Sequence, residues 1–220
     1  AGGVGYARRS DAQKGTPEPG EEVVLLGGDN YRIGMGGGAV SSVNTGQYAG
    51  AIELNAVQRS NPEMQKRVEN VIRTLSESED NPIISIHDHG AGGHLNCLSE
   101  LVETTGGHFD LSAFPIGDET LSSKEIIGNE SQERMGLLVN GDAVERIARI
   151  AERERAPMYV VGRTTDDMHL TFEEAGGDKP IDLALSDMFG SAPKTYMVDK
   201  HIDKTYPALS YDAARVEHYL

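Results

Sequence analysis

Hydrophobic and polar positions along the chain fall into short blocks with two different periods. After Asn61-Pro62, the apolar residues Met64, Val68, Val71, Ile72 and Leu75 recur at helical spacing. Asparagine is a good N-cap and proline suits the first helical position, so a helix is predicted to start there. A second stripe, Val144, Ile147, Ala148 and Ala151, follows Asn140, with Glu145 and Arg149 paired on the polar side. A third helix is predicted over about 92–105, carried by Leu95, Leu98, Leu101 and Val102 and stopped at Gly106-Gly107. Short β-branched-rich runs bounded by turn residues predict strands at 22–26, 31–35, 52–57, 83–87, 136–140, 159–162 and 168–172. Helices and strands do not alternate one for one, so the fold class predicted is α+β, a mixed sheet covered by helices.

The ends differ from the middle. Residues 1–20 are rich in glycine and proline without periodicity and read as a linker; 21–174 read as the folded unit. Residues 175–220 carry scattered apolar positions and one short helical candidate, 213–220, and read as a connector toward a further domain. A chain opening on Ala-Gly-Gly-Val-Gly reads as a piece of something longer.

Composition narrows the function. Acidic residues outnumber basic ones 35 to 20, a formal charge of −15, which repels phosphate backbones and disfavours nucleic-acid binding. No apolar run is long enough for a membrane-spanning helix, and no signal peptide opens the chain. The single cysteine, Cys97, cannot form an internal disulfide and fits a reducing, cytoplasmic setting.

Three segments carry candidate chemistry. In Gly34-Met35-Gly36-Gly37-Gly38-Ala39, side-chain-free backbone can turn its N–H groups toward an anion. The run also satisfies a loose dinucleotide fingerprint with Glu53 downstream, but Asn44-Thr45-Gly46 interrupts the helix that such a site requires. A glycine turn needed only for packing is the plain alternative. In His87-Asp88-His89-Gly90-Ala91-Gly92-Gly93, a strand end delivers Asp88 beside a helix N-terminus. That combination suits Mg²⁺ next to a phosphate, or a helix cap. The two histidines alone make a poor zinc site, having no further ligands at convincing spacing. The third segment, Asn129-Glu130-Ser131-Gln132-Glu133-Arg134, is too polar for a core; it is a pocket edge for a polyhydroxylated or phosphorylated ligand, or an exposed strand start.

Taken together with Val57-Gln58-Arg59-Ser60-Asn61-Pro62, these segments resemble the signatures of formylglycinamide ribonucleotide amidotransferase, also called phosphoribosylformylglycinamidine synthase, in its large single-chain form. The resemblance covers about residues 27–193 and points to the larger α/β domain of the first synthetase half, similar to the C-terminal domain of aminoimidazole ribonucleotide synthetase-like proteins. It implies an ATP-dependent carbon–nitrogen ligase of purine biosynthesis that uses glutamine-derived ammonia and Mg²⁺. By the same resemblance Asp88 is a magnesium ligand, and Gln58, Glu130, Ser131 and Gln132 bind substrate. Gly36, Gly37 and Gly38 lie near phosphate. No catalytic residue is assigned.

The implied partners are formylglycinamide ribonucleotide, ATP and the remaining synthetase and glutaminase domains. A face left uncovered by those domains could pair two copies of the chain. Cys97 sits in an apolar helical context rather than on a glycine-flanked nucleophile turn, so glutaminase activity is not expected here, and neither is turnover by the chain alone. His89 and His94 stand where apolar or small residues are expected. The alternatives are another ATP-using enzyme of the same superfamily, such as a hydrogenase-maturation or selenophosphate-type enzyme, and a non-catalytic interaction module.

Overall fold

The computed structural model describes residues 5–6, 8–9, 12–36, 40, 44, 46–56, 61–131, 133–190, 193–198, 200, 203–208, 210 and 213–215. The chain divides into two units, 1–190 and 191–220; in the second, the described residues form one 3₁₀ turn, Ala213–Arg215.

Among the described residues the first unit has seven strands, β1 (Glu22–Leu26), β2 (Ile83–Asp88), β3 (Gly107–Asp110), β4 (Met135–Val139), β5 (Met158–Thr164), β6 (His169–Glu173) and β7 (Ile181–Ala184). They form one sheet in the order β2-β4-β1-β5-β3-β6-β7. All neighbouring pairs are antiparallel except β3 and β6. Among the described residues the helices are α1 (Gly50–Ala56), α2 (Pro62–Ser76), α3 (Gly93–Leu101), α4 (Ser123–Ile127), α5 (Val144–Glu154) and α6 (Leu185–Met188). This is the α+β mixed sheet that the periodicity predicts.

Both faces of the sheet are covered, which explains why Val23, Val24, Leu25 and Leu26 in β1 are all buried. Val23 and Leu25 join Cys97, Leu98 and Leu101 of α3 and Phe109, Leu138 and Phe172. Val24 and Leu26 join Val68, Val71 and Leu75 of α2 and Ile147 of α5. The predicted cap of α2 is present: the Asn61 side chain accepts from the Met64 N–H at 3.1 Å, with Pro62 in the first turn.

Two predicted strands are not strands. Over 31–35 there is no ladder; an isolated bridge, Asn30 to Ile116, lies just before it. Gly34 takes φ +73°, which breaks an extended run, and the carbonyls of Tyr31 and Ile33 are bonded by a side chain rather than a neighbouring strand. The run 52–56 is helical, in α1, whose Ala, Leu and Glu content favours a helix. Glu53 accepts from the N–H groups of Gly46 and Tyr48 ahead of that helix. Val57 lies outside the described residues.

β3, α4 and β7 were not predicted. β7 and α6 fall inside the stretch read as connector, and β7 pairs with β6 in the sheet. Near the other end, Gly15 N–H donates to the Ile84 carbonyl at 2.7 Å and Gly20 N–H to Thr164 at 3.1 Å. Of the helix predicted over 213–220, only the turn noted above is described. Among the described residues no helix is long and apolar enough to cross a membrane.

Candidate functional site

β2 ends at Asp88, β4 begins at Met135, and the two strands pair there, Asp88 opposite Met135. The loop after β2 and the loop before β4 therefore leave the sheet side by side. Ser131 N–H donates to the His89 carbonyl at 3.0 Å, and His89 N–H donates to the Arg134 carbonyl at 3.3 Å. The glycine segment joins them, because Glu130 N–H donates to the Gly34 carbonyl at 2.9 Å. The three polar segments singled out in the sequence thus meet in one place.

Two carboxylates hold the same glycine turn. Asp88 Oδ1 accepts from Gly90 N–H at 2.8 Å, and Glu130 Oε1 accepts from Gly92 N–H at 2.9 Å. Asp88 is exposed, whereas Glu130 and Ser131 are buried. Close packing explains the glycines: a Cβ on Gly34 would stand 2.2 Å from the Glu130 carbonyl oxygen. Gly36, with φ +91°, is exposed at the end of this segment. Gly37, Gly38, Gln58 and Gln132 lie outside the described residues.

Beneath these groups lies a buried polar core that sequence reasoning did not assign. Arg134, 1% exposed, donates through Nη1 to Asn30 Oδ1 and through Nη2 to Asn129 Oδ1, both at 2.5 Å. Nη1 also meets His94 Nε2. His94 Nε2 also stands 3.1 Å from Asn30 Oδ1, and its Nδ1 stands 2.9 Å from His89 Nε2. Burial pushes both imidazoles well below the ordinary histidine range, and the Arg134 charge adds to the effect. Both are neutral hydrogen-bonding elements at pH 7. The hint in the sequence was an arginine directly before an apolar strand, with asparagines in both partner loops.

His87 takes a different course, bonding Lys14 and, through Nδ1, Glu100 at 2.6 Å. It and His89 therefore share no site. Among the described residues no three His, Cys, Asp or Glu side chains gather as a metal cage. A lone exposed carboxylate fits Mg²⁺ only where phosphate oxygens and water complete the shell. Cys97 is buried with its thiol pushed up by desolvation, the opposite of an activated nucleophile.

Residues 18–174 match the family model described as AIR synthase related protein, C-terminal domain. The chain belongs to that family. As a member of the AIR synthase-related C-terminal domain family it is similar in fold to Thermotoga maritima PurL complexed with FGAR, at 24% identity and TM-score 0.76, over 94% of this chain and 35% of that one. It is likewise similar to the ATP complex of T. maritima PurL, at 22% identity and TM-score 0.67, over 94% and 33%. E. coli HypE is a further fold relative, at 13% identity and TM-score 0.54, over 78% and 52%. The chain spans about a third of the length of these PurL chains.

Proposed function

We propose that this chain is the substrate- and magnesium-binding domain of an ATP-dependent ligase that converts formylglycinamide ribonucleotide to its amidine with glutamine-derived ammonia. The observation that carries this reading is the shared glycine turn, where the exposed Asp88 accepts from Gly90 N–H and the buried Glu130 accepts from Gly92 N–H, so that the two loops meet. Family membership and the fold shared with PurL complexes of FGAR and ATP support it.

On this reading Glu130, Ser131, Gln132 and Gln58 hold the ribonucleotide by hydrogen bonds. Gly36, Gly37 and Gly38 present backbone to phosphate. Asp88 holds Mg²⁺, which neutralises phosphate charge when bound. The buried hydrogen bonds around Arg134, with Ser131 N–H on the His89 carbonyl and Glu130 N–H on the Gly34 carbonyl, hold Glu130 and Ser131 before ligand arrives, which lowers the ordering cost of binding. Further synthetase and glutaminase domains supply the rest of the chemistry, and the setting is cytoplasmic.

Calorimetric titration of the chain with formylglycinamide ribonucleotide tests this, with NADH in parallel and with Gln58→Ala and Glu130→Ala. Saturable ribonucleotide binding weakened by both substitutions is expected. NADH binding, or ribonucleotide binding indifferent to both, overturns the proposal.

A further inference from the structure

Asn129 is 1% exposed and every polar atom of its side chain is engaged. Its Oδ1 accepts from Arg134 Nη2 at 2.5 Å. A guanidinium only donates, so this contact assigns the amide's orientation: oxygen toward Arg134, nitrogen away from it. The nitrogen then faces the residues leading into the glycine segment and donates to the carbonyls of Tyr31 and Ile33, both at 2.7 Å. Arg134 Nη1 meanwhile donates to Asn30 Oδ1, four residues before Gly34. The backbone of 31–36 has no ladder of its own, and Gly34 and Gly36 lie at positive φ. Its other anchors are Met35 N–H on the Asn55 carbonyl at 2.7 Å, Glu130 N–H on the Gly34 carbonyl at 2.9 Å, and Arg32 on Thr120, so Asn129 is the side chain that ties it to the loop containing Glu130 and Ser131.

We propose that Asn129, aligned by Arg134, is the positioning residue that sets the glycine segment relative to Glu130, and so sets the affinity for a phosphate-bearing ligand. This deepens the functional reading above and rests on it.

The test uses Asn129→Asp. The shape is kept and Oδ1 can still accept from Arg134, but the second atom becomes an acceptor facing two carbonyls. The expected result is at least a tenfold rise in Kd for formylglycinamide ribonucleotide or ATP, with amide NMR shifts at Gly34 and Gly36 moving while those of Val71 and Ile147 stay in place. Arg134→Lys, which cannot reach Asn30 and Asn129 with separate nitrogens, is expected to raise the same Kd and to move the same two shifts. Asn129→Asp binding as tightly as the parent, or unchanged Gly34 and Gly36 shifts, overturns the proposal.

Should Asn129→Asp not fold, the parent chain decides. Slowly exchanging Asn129 side-chain N–H protons support the clamp, and freely exchanging ones overturn it. A parent chain that binds neither ligand refutes the functional reading, and the Gly34 and Gly36 shifts then judge the clamp alone.

Discussion

A Cβ on Gly93 would stand 2.5 Å from the Asn129 carbonyl oxygen. Gly93 opens α3 at φ +57°, and the loop leading into β4 passes directly over it, so helix and loop approach with no room for a side chain. Backbone cannot yield as the end of a flexible side chain can. Gly93→Ala is therefore expected to cost about 2 kcal/mol or more, from the left-handed conformation and the collision together. Chemical denaturation checks this; a loss below about 0.5 kcal/mol would mean that the loop is free to lift.

The buried histidines make stability depend on pH. His89 and His94 have folded pKa values far below the unfolded value of about 6.5, so below that pH the unfolded chain binds more protons than the folded one. Stability is complete above about pH 6.5 and falls as the pH drops through it. Each histidine contributes a slope of up to about 1.4 kcal/mol per pH unit. His94→Leu should remove one such share, and denaturation midpoints from pH 7 to 5 would reveal it. A parent chain with flat stability over that range contradicts the assignment.

Cys97 is expected to resist thiol reagents in the native chain and to react at the rate of a free thiol only after unfolding, because it is buried and its thiol is held protonated. Rapid labelling of the folded chain would contradict this.

Asp88→Asn should separate metal binding from folding. The asparagine Oδ1 can still accept from Gly90 N–H, so the melting midpoint should stay within about 2 °C of the parent. Affinity for ATP in the presence of Mg²⁺ should fall at least about tenfold. Calorimetry with and without Mg²⁺ distinguishes this from a purely structural role, for which the two would fall together.

Legibility from sequence followed local signals. Asn61-Pro62 and the stripe behind it announced α2, and the apolar run Val23 to Leu26 announced a strand, which the structure buries on both faces. Where a local signal competed with tertiary contacts it misled: Tyr31 to Met35 has strand-like residues, yet its carbonyls are bonded by Asn129. β7 has Asp182 between Ile181 and Leu183 and becomes a strand only because β6 lies alongside it. At the site, Asp88, Glu130 and Ser131 were recognisable as polar residues in unusual places. The roles of Asn30, His94, Asn129 and Arg134 were not, since they arise from contacts between residues up to 104 positions apart, as between Arg134 and Asn30.

The most direct measurement is a crystal structure of the chain soaked with formylglycinamide ribonucleotide. The account predicts ligand density against Glu130 and Ser131, with its phosphate toward the glycine segment at Gly36. Density elsewhere, such as in the cleft lined by Lys14, Asn81 and Ile83, with Glu130 and Ser131 untouched, would contradict it.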